Sequence, residues 1–301
     1  MIMIQKTAII VDSTGGVSQE YLNLPNVFQL DLLIQFGEDD VFIDTSADKE
    51  AAQFYQRLTE IKEIPKTSLP EMGDMINVYK QLVAENYEEV FVITLSSKLS
   101  GTHNTLSLVG NEFSEQIKTR MIDSKGTSYV LEELVKTVLE MSENGYNNDT
   151  IEAMLQQQIA NSAIYCLISE LDYLVKGGRL SGASAALGNM LRIVPLIKFM
   201  DDGTVNVIGK IRTRKRAYKQ LTDYIDEALA KYPAGIQLII AHADATEEAE
   251  GFMESIKKEY PNIGEIRVGY LTPVLGVHGG PGALGMGYVA KPENFIDEVT
   301  K

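Results

Sequence analysis

Apolar and polar positions divide the chain into short apolar runs, most closed by a polar turn and followed by a segment with helical spacing. Thr7 to Val11 and Val90 to Leu95 are compact and rich in β-branched residues. Such runs predict strands covered on both faces. Thr119 to Asp123 predicts another. Lys49 to Lys62, Thr127 to Glu143 and Asp149 to Ile159 repeat with a helical period, as do Met72, Met75, Ile76, Tyr79, Leu82 and Val83. Val27 to Ile34 reads as one strand with Phe28, Leu30, Leu32 and Ile34 on one face, and Asp39-Asp40 as an exposed turn. Strand and helix alternate from residue 7, so residues 1–160 predict a parallel sheet flanked by helices.

Beyond residue 160 the rhythm changes. Ala163 to Ser169 predicts a strand, followed by the apolar run Leu171 to Val175, a Lys176-Gly177-Gly178-Arg179 turn, and a small-residue helix from Gly182 to Leu191 that Ser181 caps. Leu196 to Met200 and Thr204 to Ile211 flank Asp201-Asp202-Gly203, a hairpin signal. Helices over Thr213 to Lys231 and Glu247 to Tyr260 alternate with strands Ile236 to His242 and Glu265 to Tyr270. A Gly-rich loop, Gly276 to Gly282, leads to a last strand, Leu284 to Ala290. Residues 161–301 therefore predict a second, mixed-sheet α/β domain.

The candidate chemistry lies in the loops. Ser96, Ser97, Ser100, Gly101 and Thr102 follow a buried strand and precede a helix, the end of an open α/β sheet where ligands sit. Hydroxyls and free N–H groups there suit an anionic, oxygen-rich head. Asp12 and Ser13 form a second such loop and are either turn residues bonding their own backbone or part of the site. Thr67 and Ser68 stand at or just before a helix start. They are either N-caps or further site hydroxyls, and the second option requires distant loops to converge. His278 sits among glycines, where backbone approaches a ligand closely and imidazole can donate to an anion.

Composition narrows the partners. A formal charge of −15 over 301 residues repels nucleic acid and anionic membrane surfaces. Against it stands one basic run, Lys210, Arg212, Arg214, Lys215, Arg216 and Lys219, which is either a solvated helix face or a dock for an acidic partner. The single Cys166 lies in an apolar strand pattern and reads as a buried thiol. No apolar run approaches the ~18 residues of a membrane helix, which places the chain in the cytoplasm. His103, His242 and His278 are scattered, so no metal site is expected, and His242 at a strand end reads as structural. Gly280 to Gly285 matches a dinucleotide motif in letters only, because a strand follows it. P-loop and nucleophile-elbow motifs are absent.

Taken together, IIVDSTGG, KTSLP, LSSKLSGT, IDSK, LVKGGRLS and VHGGPGALG resemble, in order and placement, the signatures of the DegV family, over residues 8–290. The resemblance implies a two-domain α/β fold with one long-chain fatty acid held between the domains and no further cofactor. It also implies a non-catalytic, acyl-carrying subunit of a bacterial fatty acid kinase, whose separate ATP-binding partner converts the carboxyl to an acyl phosphate. Carried onto this chain, Thr67, Ser100 and His278 match the carboxylate-binding positions. Ser68, Ser97, Gly101 and Gly279 complete the shell, and Arg179, Arg212 and Arg214 face the phosphate or the partner. Leu69 stands where the family usually has Gln, and Gly279 where Thr is common. Two other classes fit the residues: a hydrolase or transferase with Ser100 as nucleophile and His278 as base, and a regulatory binder of another hydrophobic acid.

Overall fold

β1 (Thr7–Asp12), β2 (Val27–Leu30), β6 (Glu89–Thr94) and β7 (Lys118–Asp123) pair as a parallel sheet in the order β2-β1-β6-β7. A computed structural model of the chain describes residues 6–61, 63–180 and 193–300. β6 is buried along its whole length because helices cover both faces. Ile10, Val90 and Val92 meet α3 (Met72–Ala84) and α4 (Thr102–Glu112) through Met75, Tyr79 and Leu106. Ile9, Val11, Phe91 and Ile93 meet α5 (Tyr129–Glu143) through Leu131, Leu134 and Val135. The two-residue period of the strand decides which helix each side chain meets. A short α1 (Gln19–Leu22) links β1 to β2.

Two expectations for this region are corrected. Val27 to Ile34 is two strands, because the chain leaves the parallel sheet at Asp31-Leu32. There Asp31 accepts a bond from the Gln29 amide (2.7 Å) and the Leu32 N–H donates to Ser13 Oγ (3.0 Å) instead of to a ladder. β3 (Leu33–Phe36) then joins a separate antiparallel sheet, β4-β3-β5, with β4 (Asp40–Ile43) and β5 (Lys66–Ser68). Thr67 and Ser68 are consequently strand residues, not helix caps. Thr67 pairs with the fully buried Ile34 and shares its inward face, whereas Ser68 pairs with Leu33 and is exposed. Asp39 sits in the exposed turn, while Asp40 opens β4 and pairs with Arg57 of α2 (Asp48–Glu60).

The second sheet is mixed and larger, in the order β10-β9-β8-β13-β11-β12. It comprises β8 (Ser162–Leu167), β9 (Val194–Phe199), β10 (Val205–Ile211), β11 (Ile236–His242), β12 (Ile266–Tyr270) and β13 (Leu284–Ala290). β11 and β12 run parallel and the other pairs antiparallel. The expected hairpin joins β9 to β10, with Gly203 at φ 85°. One face, with Leu167, Leu196, Leu238, Ile240 and Met286, shares a core with α8 (Arg214–Lys231) and α9 (Thr246–Glu259). The opposite face carries Cys166, Ile197, Ile239 and Ala241 and looks toward α2, α5 and α10 (Pro273–Gly279). α6 (Asn148–Ala160) and α11 (Ile296–Val299) pack together beside it.

Two apolar stretches here differ from the pattern reading. Leu171 to Val175 belongs to a helix, α7 (Leu171–Lys176). The first half of the Gly-rich loop is α10, because Pro273 at its first position favours a helical start and Gly280, at φ 74°, ends it. The expected Ser181 cap and the helix Gly182 to Leu191 lie outside the described residues. Among the described residues no helix is long and apolar enough to cross a membrane.

Candidate ligand cavity and its polar end

A cavity of about 310 Å³ lies between the inner face of the mixed sheet and the carboxyl ends of the parallel strands, the size class of enclosed small-molecule sites. Its walls are mostly apolar and come from both halves of the chain, among them Leu95, Val130, Ile164, Ile197, Ile239 and Leu271. At one end the lining becomes polar, with Thr67, Ser68, Ser100, Gly101, Arg179 and His278. Ser68 and Gly101 are exposed, so this end reaches the surface.

Thr67 and His278, 211 positions apart, meet there with Thr67 Oγ1 2.9 Å from His278 Nε2. β5 delivers Thr67 on the inward face of the small sheet. His278 arrives in the last turn of α10, and that helix is fixed from three sides. Asp44, buried just past β4, accepts a bond from the Val274 N–H (2.8 Å) and one from Ser13 Oγ (2.7 Å). Tyr55 donates to the Leu271 carbonyl (2.8 Å) and packs so closely on Gly276 that an added Cβ would lie 2.4 Å from its hydroxyl oxygen. Gly177 does the same for the imidazole, its missing Cβ leaving room for Nδ1. Burial, with a smaller contribution from nearby Arg179, lowers His278 to about 4. The imidazole is therefore neutral near pH 7.

Ser100 reaches the same cavity from the loop between β6 and α4. Its hydroxyl lies 2.9 Å from Thr102 Oγ1 and accepts the Thr102 N–H at 3.2 Å, a turn that opens α4. The loop is held by Asp12, whose carboxylate accepts the N–H groups of Thr14 (3.1 Å) and Leu95 (2.6 Å). Asp12 is thus a turn residue that also ties the β1 loop to the β6 loop. The hydrolase alternative requires Ser100 and His278 within hydrogen-bond reach of each other; here His278 pairs with Thr67 and Ser100 with Thr102.

Other candidates are distributed less evenly. Gly279 is buried and lines the cavity beside His278. Ser97 does not line it: its N–H and hydroxyl both donate to Asp123, which turns it toward the β7 loop. Arg179 lines the polar end and donates to the carbonyls of Leu99 (3.2 Å) and Gly177 (2.6 Å). Arg214 donates to Ser169 Oγ (2.9 Å) and the Gly282 carbonyl (2.8 Å) and pairs with Glu248, so it ties α8 to the entry of β13. Arg212, Lys215 and Arg216 are exposed. Cys166 is buried in the cavity wall, and burial pushes its thiol up to about 12. His242 is structural, accepting the Ala245 N–H at 3.3 Å. Among the described residues no cluster of His, Cys, Asp and Glu could hold a metal ion.

Asp44 escaped the sequence reading, since a lone carboxylate after a four-residue strand carries no signal. Gly285, which lines the cavity from β13, stands in the sequence only as the last letter of two short motifs, and Gly287, which also lines it, falls in none.

Fold and cavity together define an α/β protein with an apolar chamber open at a polar end. The model of an uncharacterised DegV protein family matches residues 6–291, and the chain belongs to the DegV family. A DegV domain-containing protein of Clostridium acetobutylicum is 34% identical over 284 residues, which covers 94% of this chain and 98% of that one. The fatty acid binding DegV family protein of Streptococcus agalactiae superposes with a TM-score of 0.85 at 28% identity, over 95% of this chain and 99% of its own. DegV, a fatty acid binding protein from Bacillus subtilis, gives a TM-score of 0.85 at 27% identity, over 95% and 100%.

Proposed function

We propose that the protein binds one long-chain fatty acid in this cavity, between an N-terminal domain over residues 1–160 and a C-terminal domain over 161–301. It presents the carboxylate to a separate ATP-dependent kinase subunit, which forms the acyl phosphate. The observation that carries this reading is the Thr67–His278 pair at the exposed end of a mostly apolar chamber.

The physics of the two ends differs. Each buried methylene contributes about 0.8 kcal/mol, so the tail sets affinity. The head must not be stranded without partners, and charge-assisted hydrogen bonds of about 1.5–3 kcal/mol each offset its desolvation. A neutral His278 that donates from Nε2 to Thr67 Oγ1 leaves the threonine hydrogen free for a carboxylate oxygen. Ser100 supplies a second hydroxyl at the same end. Arg179 already donates to two backbone carbonyls, so it adds positive field at the head without enclosing it. A carboxylate held by neutral donors keeps an oxygen open to a phosphoryl donor.

Denaturing mass spectrometry of the purified protein is expected to show a co-purifying fourteen- to eighteen-carbon acid. With a cognate kinase subunit, Thr67→Val and Ser100→Ala should each lower acyl-phosphate formation by at least about tenfold, the equivalent of one charged hydrogen bond. Full phosphorylation by both variants would end the head-group assignment. A covalent adduct on Ser100 would favour the hydrolase reading instead.

A further inference from the structure

Gly285 is the second residue of β13, paired with Cys166 on β8 and Ala241 on β11. Directly paired residues point to the same face of a sheet. That face bounds the cavity, and all three residues line it. Three features separate Gly285 from glycines that the fold requires. Its φ lies outside the left-handed region, so its backbone suits any residue. A Cβ there would meet only the carbonyl oxygens of Ala241 at 3.6 Å and Tyr165 at 3.8 Å, ordinary contacts, whereas one at Gly276 would collide with Tyr55. Finally, glycine inside a strand weakens it, so neither conformation nor packing accounts for its presence. What the missing side chain leaves is open space within the chamber.

We propose that Gly285 sets the length of acyl chain the cavity accepts, the chain crossing the inner face of the mixed sheet over Gly285 between Cys166 and Ala241. This rests on the fatty-acid reading of the cavity. The polar end lies past the carboxyl end of β8, where His278 packs on Gly177 just after α7. Ile164, which also lines the cavity, is two residues toward the amino end of β8 from Cys166, or about 7 Å farther from that polar end. A side chain at position 285 therefore obstructs the chamber midway and leaves the head contacts intact.

The test compares wild type, Gly285→Ala and Gly285→Val for binding of octadecanoic and decanoic acids by calorimetry, alongside thermal melting. Both variants should melt at or above the wild-type temperature. Gly285→Val should lose at least about tenfold in affinity for the longer acid, with alanine intermediate, while the shorter acid binds within about threefold of wild type. Equal loss for both acids, loss for neither, or a marked drop in melting temperature would each overturn the proposal. A wild-type protein that binds neither acid would remove the fatty-acid reading itself. One that binds both, with variants that treat them alike, would remove only the role of Gly285.

Discussion

Asp44 and His278 are shifted in opposite directions by burial, and both act on α10. Burial raises Asp44 to about 7 and lowers His278 to about 4. Between pH 4 and 7 folded Asp44 keeps a proton that the unfolded chain has released, so its contribution to stability is lost as pH rises through 7. For His278 the unfolded chain takes up a proton below about 6.5 that the fold refuses, so stability falls as pH drops from 6.5 to 4. Asp44→Asn keeps an acceptor for Val274 and removes only the first slope. Between pH 5 and 8, wild type should therefore lose on the order of 2 kcal/mol relative to this variant in denaturant unfolding. A pH-independent difference would show that Asp44 stays ionised when folded. The raised thiol of Cys166 gives a second residue-level expectation. It should resist alkylation in the native protein at pH 8 and react once unfolded; rapid native labelling would place the thiol in water.

At the scale of elements, the chamber depends on α10 lying close against α2. Gly276 permits that approach, and a methyl group there collides with Tyr55. Gly276→Ala should cost about 1–3 kcal/mol of stability and shift His278 away from Thr67, weakening fatty-acid binding. Wild-type melting and affinity would mean the two helices have slack. The elements best read from sequence were those with a sustained period. β11 and β13 match their expected limits, and α8 and α9 start within one residue of theirs. Those misread were short. β5 has three residues, too few to show alternation, and its neighbour in the sheet is 30 residues away. α10 is hidden by glycines that its packing demands, and a glycine-rich sequence reads as a loop. The hydroxyls of Thr67 and Ser100 were legible as types, but their shared cavity rests on tertiary contacts that no local pattern encodes.

On the scale of the whole molecule, an acidic body with exposed Arg212, Lys215 and Arg216 clustered around the start of α8 favours a selective encounter with one partner. Arg212→Glu with Lys215→Glu should weaken binding of the kinase subunit by at least about tenfold, steepest at low salt, and leave fatty-acid affinity unchanged. Parallel loss of both affinities would point to a damaged fold. Arg214→Glu should behave differently, because it breaks the tie to Ser169 and Gly282 at the entry to β13. β13 lines the chamber, and a ribosome delivers that strand only after all four strands of the parallel sheet. The parallel sheet thus emerges well before the chamber can close. On the fatty-acid reading, a bound acid would play no part in the early folding of the nascent polypeptide, and any protection it conferred against proteolysis would be reserved for molecules whose synthesis had passed β13.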